Sequence, residues 1–394
     1  MTERSTRPTN PLWGDDWADV RALWPLESTV AHLNHGAFGA VPEPVLDEQR
    51  SWRERMETNP LRFFTREVGN ALVQARAEVA AFLGADPESL AFVRNATTAV
   101  STVLSALQLG PEDEVVVTDH AHGAVRLAVQ RFCRDAEARV VQVDLSLTAA
   151  DDEIEAAVVA AIGPRTRLVL LEQVTSPTAR RLPLVSLVPA IRDRGATVFV
   201  DGAHAPGMLQ VELDQLGADY WTGNLHKWCC APRGTGVLHA ATELRATLRP
   251  LVGGWGDLAA FPASFDQTGT DDPTAWLAAP RALRVLAGLG WDRLRAHNVA
   301  LAVAGQQIVG AALDHAESDL PRDPAVSMQI VPLPEGIASD VAEANALQDR
   351  IGEEIAVEVG VTTFRGRGFI RVSAQAYNCP ADYERLARDL PALL

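Results

Sequence analysis

Between residues 90 and 201 the chain alternates short apolar runs with segments of helical spacing. The apolar runs are 90–93, 114–117, 139–143, 167–171 and 197–200, rich in Val, Leu and Phe. Residues 97–107, 122–133, 151–162 and 184–194 lie between them and repeat their apolar side chains at helical spacing. Strands that alternate with helices pair in parallel, and the helices cover both faces of the sheet. The expected fold class is therefore α/β, a large domain with a mostly parallel sheet between helices. Such sheets hold ligands beyond the carboxyl ends of their strands. Polar clusters fall at those ends: Arg94-Asn95, Asp119-His120, Glu172-Gln173 and Asp201.

The rest of the chain reads differently. Residues 240–270 carry Pro250, Gly253, Gly254, Gly256 and Pro262 and read as long loops, with Trp255 and Phe261 as a possible wall for a bulky ligand. Residues 275–315 read as helix, and strands are expected near 328–331 and 369–372. This gives an arm and packing segment over 1–40, a large domain over 41–275 and a smaller α+β domain over 276–394. With 394 residues and 47% hydrophobic content, a sizeable core is available. A formal charge of −16 disfavours nucleic-acid binding. No run approaches the ~18–20 apolar residues of a membrane span. The first eight residues have no apolar stretch of the kind a signal peptide needs. Four cysteines (Cys133, Cys229, Cys230, Cys379) form no CxxC, which fits a reduced, cytoplasmic protein.

The chemistry starts from Asp201 and Lys227. Asp201 closes an apolar strand in Asp201-Gly202-Ala203-His204, and Lys227 follows in Thr222-Gly223-Asn224-Leu225-His226-Lys227-Trp228. An acid at a strand end followed by a lysine suits pyridoxal 5'-phosphate. The amine forms a Schiff base with the aldehyde, and the carboxylate keeps the ring nitrogen protonated, so that the ring accepts electrons. Asn95, Ala96 and Thr97 open a helix, where amides and a hydroxyl suit a phosphate; plain helix capping is the competing reading. No GxGxxG or GxxxxGKS/T loop is present, which disfavours a dinucleotide enzyme or a P-loop NTPase. His120 or His122 can lie over an aromatic ring, His120 being the first choice. Ser176 and His204 can reach the phenolic oxygen of the cofactor, although Gln173 to Thr178 also reads as turn chemistry. Arg371 interrupts an apolar strand, so it either pairs structurally or grips a carboxylate.

These stretches together resemble the class V aminotransferase family of fold-type I pyridoxal-phosphate enzymes, and within it the isopenicillin N epimerase-like branch. The resemblance runs over nearly the whole chain through 33–39, 94–100, 200–207, 222–228, 231–236 and 371–374. It implies that Lys227 is the Schiff-base lysine and the acid/base at Cα, and that Asp201 binds the pyridine nitrogen. Ala96, Thr97, Thr222 and His226 would hold the phosphate, His204 would face the phenolic oxygen, and His120 or His122 would cover the ring. Arg371 would bind the carboxylate of an amino-acid substrate, with Asn34 nearby and Gln173 at the substrate side. Thr270 would reach the phosphate of a neighbouring subunit in a homodimer with shared sites. Residues 352–368 carry no cysteine, unlike the catalytic loop of desulfurases of this fold. His122 stands where the branch usually has Tyr, and Gln173 where it often has His. Members of the branch in lincosamide antibiotic pathways process cysteine S-conjugates. The implied reactions are therefore C–S β-elimination or decarboxylative oxidative deamination, with Cα epimerisation as the alternative, transamination third and a non-catalytic binding module the remotest.

Overall fold

Strands of nearly unbroken Val, Leu and Phe have no polar face to offer solvent, and the chain buries both of theirs. In the computed structural model, residues 17–394 are described. They form two compact units. One contains residues 17–43, Pro177–Ala179 and Leu289–Leu394, and the other contains Pro44–Ser176 and Arg180–Gly288. The N-terminal arm expected over 1–40 lies partly outside the described residues, as does the segment read against a signal peptide.

The strands in chain order are β1 (Ala31–His32), β2 (Leu90–Val93), β3 (Glu114–Thr118), β4 (Arg139–Val143), β5 (Thr166–Glu172), β6 (Thr197–Asp201), β7 (Tyr220–Asn224), β8 (Gly236–Ala240), β9 (Met328–Pro332), β10 (Val357–Glu358), β11 (Gly360–Phe364) and β12 (Arg367–Ser373). The larger unit holds a seven-stranded sheet in the order β2-β8-β7-β6-β5-β3-β4. From β7 to β4 every neighbouring pair is parallel, and β8 runs against both β7 and β2. The mostly parallel sheet read from the sequence is thus present. Helices Ala96–Ala106 and Gly123–Asp135 press Val100, Val103, Val125 and Val129 onto Val115, Val117, Leu168 and Phe199 of the sheet. Each such side chain, fully buried, contributes roughly 1.5–3 kcal/mol.

Because β3, β5, β6 and β7 are parallel, they end at one edge, on Thr118, Glu172, Asp201 and Asn224. The antiparallel β8 begins at that edge, with Gly236 opposite Asn224 on one side and Val93 on the other. A Cβ at Gly236 would lie 2.9 Å from the Asn95 Cα and 3.3 Å from the Asn224 Oδ1, so only glycine lets these segments approach.

The smaller unit has an antiparallel sheet β11-β12-β9 and a two-stranded parallel pair β1-β10. Helices Trp291–Ala312, Val341–Ile355 and Pro380–Asp389 belong to it, and Leu301, Leu347, Ile351 and Leu386 share its core with Val331, Ile370 and Val372. Five strands went unseen in the sequence, of which β1 and β10 are only two residues long. β7 and β11 carry Gly and Thr rather than an apolar run, and β8 is broken by Gly236 and His239.

Candidate active site

The edge where β3, β5, β6 and β7 end forms a pocket in the larger unit. Its lining includes Ala96, Thr97, His122, Glu172, Ser176, Asp201, His204, Asn224 and Lys227. Asp201 and Lys227, singled out from sequence as an acid at a strand end followed by a lysine, therefore share one cavity.

Lys227 sits in the turn after β7 and is only 9% exposed. That turn is tied down by Leu225 and His226 amides, both donating to the Thr235 carbonyl. Lys227 Nζ lies 3.0 Å from His204 Nε2, and Trp228 Nε1 donates to His204 Nδ1 at 3.4 Å. With Nδ1 accepting from Trp228, His204 presents Nε2 to Nζ. Nζ is the atom that would meet an aldehyde as a nucleophile. Asp201 is buried, and its Oδ1 accepts the Ala203 amide at 2.9 Å. Burial raises its pKa, while the Ala203 amide, Lys227 and His122 act in the opposite sense. A cationic ring nitrogen beside it would complete the charge balance that burial otherwise penalises.

The phosphate candidates separate. Ala96 and Thr97 are the first two residues of helix Ala96–Ala106, whose first-turn amides have no intrahelical acceptor. Asn95 caps the helix by accepting the Thr98 amide at 2.9 Å, so the capping reading also holds. The Ala96 amide donates to Asn224 Oδ1 at 2.9 Å. That leaves the Thr97 amide and hydroxyl and the Asn224 side-chain amide as donors at the pocket wall. Thr222 is on the same strand face as Asn224 but lies deeper, fully buried, its hydroxyl donating to the Val237 carbonyl at 2.8 Å. His226 lies outside the pocket lining, with Nδ1 donating to the Thr235 carbonyl at 3.0 Å and burial lowering its pKa to about 4. Neutral, it offers an acceptor nitrogen rather than a cation. Asn224 went unread in the sequence; its position two residues after Thr222, on the same face, was the available signal.

The two histidines also separate, in the reverse of the expected preference. β3 ends at Thr118, and the chain turns so that His120 is 1% exposed, its Nε2 donating to the Leu145 carbonyl at 2.9 Å. His122 is exposed at the pocket and caps helix Gly123–Asp135, its Nδ1 accepting the Ala124 amide at 3.3 Å. Strand alternation likewise divides Glu172 from Gln173. Gln173 Oε1 accepts Trp221 Nε1 at 2.9 Å, away from the pocket, and Glu172 lines it. Glu172 is the second residue the sequence reading passed over as a site group. Ser176 lines the pocket as expected.

Arg371 and Asn34 lie in the smaller unit. Arg371 is 6% exposed in the middle of β12, and its Nη2 donates to Asn34 Oδ1 at 3.2 Å. Burial lowers its pKa to about 10. Gly360 is its register partner on β11, where a Cβ would lie 3.1 Å from Asn34 Oδ1 and 3.4 Å from Arg371 Nε. The glycine leaves room beside the guanidinium. Thr270 is exposed and outside the pocket lining, in a loop held by Asp271 on Arg94 and by Asp272 on Arg53 at 2.8 Å. All four cysteines are buried. Among the described residues no cluster of His, Cys, Asp and Glu could hold a metal, and no helix is long and apolar enough to cross a membrane.

Residues 32–386 match the model of the family Aminotransferase class-V. Isopenicillin N epimerase of Amycolatopsis lactamdurans is 34% identical over 96% of this chain and 98% of its own length. A probable chloroplastic L-cysteine desulfhydrase of Arabidopsis thaliana is 29% identical over 90% of this chain and 81% of its own. Among solved structures, the cysteine desulfurase CsdA from Escherichia coli superposes with a TM-score of 0.77 at 21% identity, covering 96% of this chain and 98% of that one. The cystine C-S lyase C-DES does so with a TM-score of 0.78 at 19% identity, covering 92% and 97%. The chain belongs to the class-V aminotransferase family and is a pyridoxal-phosphate-dependent enzyme with the fold-type I architecture. The donor set fits that cofactor: an acid for the ring nitrogen, an amine for the aldehyde, and helix-end and side-chain amides for the phosphate.

Proposed function

We propose that this enzyme binds an α-amino acid, takes the proton from its Cα through Lys227, and in its main reaction expels a sulfur substituent from Cβ of a cysteine S-conjugate. When bound, the cofactor supplies an aldehyde for capture by Lys227 and a ring that accepts the electron pair left at Cα. The observation that carries the reading is the single pocket shared by Asp201, Lys227, His204 and Thr97 at the edge of the sheet.

Asp201 holds the ring nitrogen in its cationic form. Thr97 and Asn224 would anchor the phosphate, and Lys227 would hold the aldehyde. The Lys227 amine is the pocket group that would take the Cα proton. Arg371, with Asn34 fixing its guanidinium, grips the substrate carboxylate as a two-pronged donor. No cysteine is among the residues lining the pocket, which supports elimination over a persulfide route, because a sulfur-accepting thiol must meet the substrate.

Epimerisation is the second reading, and one observation favours it. His122 lines the same pocket as Lys227, so two acid/base groups are present, and return of the proton from the opposite face needs two. Relatives named isopenicillin N epimerase support this reading too. Decarboxylative oxidative deamination and transamination are the remaining branches. We further propose a cytoplasmic homodimer in which Thr270, exposed on its anchored loop, completes the phosphate site of the second copy. A mass measurement in solution that finds only monomer contradicts that arrangement.

Turnover of amino acids and cysteine S-conjugates in heavy water tests the reaction. Pyruvate, ammonia and a released thiol are expected. Deuterium at Cα with no other product makes the enzyme an epimerase, and carbon dioxide with oxygen uptake makes it a decarboxylating oxidase.

A further inference from the structure

Asp201 has a partner at the edge of the sheet to which no role has been given. Glu172 ends β5 and Asp201 ends β6, and the two are register partners on parallel strands. Register partners project from the same sheet face, and both side chains line the pocket. On the other flank of Asp201 its register partner is Thr222, whose hydroxyl donates away to the Val237 carbonyl. Glu172 is 1% exposed. One of its oxygens, Oε2, accepts the Thr118 hydroxyl at 2.8 Å; the other, Oε1, has no hydrogen-bond partner among the described residues. A buried carboxylate with an orphaned oxygen is costly, whereas a buried carboxylic acid carries a proton to give there.

We propose that Glu172 and Asp201 hold one proton between them, with Glu172 the positioning residue whose Oε1–H is donated to the Asp201 carboxylate. The pair then carries a single negative charge, matched to one ring cation. This proposal rests on the cofactor reading above for its purpose, but the retained proton stands on the pair itself. Burial, and the Asp201 and Asp119 charges, hold the Glu172 carboxyl up to about 8 against the Thr118 hydroxyl. The titratable groups about it are Asp201 on β6, Asp119 beyond β3, and His122, His204 and Lys227 in the pocket. The sign of the pH effect follows. Above its ordinary value near 4.5 the unfolded chain releases this proton while the folded chain keeps it to about 8, so stability falls as pH rises across that window.

The test uses the full-length chain with and without pyridoxal phosphate. Cofactor affinity is read by titration and Tm from pH 6 to 8.5, with circular dichroism as the control on folding. Glu172→Gln, which donates but cannot ionise, is expected to bind the cofactor within about threefold of wild type and to flatten the fall of Tm with pH. Glu172→Leu is expected to lose about tenfold in affinity, as for a removed buried hydrogen bond. Should the leucine variant not fold, Thr118→Val takes its place, with a loss of about threefold expected. The proposal is overturned if Glu172→Gln loses about tenfold or more in cofactor affinity, which makes Glu172 an anion, or if Glu172→Gln keeps the wild-type fall of Tm. It is equally overturned if Glu172→Leu, or Thr118→Val in its place, binds as wild type. Failure of the wild-type chain to take up cofactor at all sinks the cofactor reading instead, and the Tm comparison still decides the retained proton.

Discussion

The pocket at the sheet edge and the Arg371 pair recognise charge in different ways. At the sheet edge several titratable groups compensate one another: Asp201, Glu172, Lys227, His204 and His122 share one cavity. In the smaller unit a buried guanidinium is steadied by the neutral amide of Asn34, with Gly360 clearing space beside it. A group that must adjust its charge as a reaction proceeds belongs among partners. A group that only grips a carboxylate, the role proposed for Arg371, needs fixed geometry and a constant charge, which Arg supplies even with its pKa lowered to about 10.

Mutations should divide along that line. The largest effect is expected for Lys227→Ala, which removes the amine and with it both retention of the cofactor on desalting and turnover; retained turnover would break the contrast outright. Asp201→Asn should still take up cofactor but lose roughly 10²–10³ in turnover, as for other removed preorganised charges. Steady-state kinetics of that variant near the wild-type rate would remove the acid from the mechanism. Arg371→Ala should act on binding, raising KM by the equivalent of about 2–5 kcal/mol while leaving cofactor retention intact. A fall in kcat alone would place the carboxylate grip elsewhere. Asn224→Ala frees the Ala96 amide and should cost about 1–3 kcal/mol, measured as Tm and cofactor affinity together. Thr222→Val, by contrast, should lower Tm by the equivalent of about 0.5–1.5 kcal/mol with cofactor affinity unchanged, because its hydroxyl serves the Val237 carbonyl.

The same contrast explains what could be read in the chain. The apolar runs of β3, β5 and β6 made the parallel sheet and its edge legible, and Asp201 stood out as a charge closing such a run. Arg371 stood out for the same reason within β12. What escaped was the last step from position to direction. Glu172 and Gln173 are neighbours in sequence, yet strand alternation sends one into the pocket and the other to Trp221. His120 and His122 are separated by a turn whose geometry the sequence does not display, and burial takes the first while exposure leaves the second at the pocket. β7 escaped because Thr222-Gly223-Asn224 lacks an apolar pattern. Its glycine is needed where a Cβ would lie 2.7 Å from the Pro206 ring, and missing that strand hid Asn224.

The central claim is that the amine of Lys227 holds the cofactor in the pocket that Asp201 closes. Its most direct test is the visible absorbance of the purified chain after addition of pyridoxal phosphate and thorough desalting. A band that survives in wild type and is absent from Lys227→Ala is the expected result. A wild-type chain with no such band, or a Lys227→Ala variant that retains it unchanged, would contradict the account.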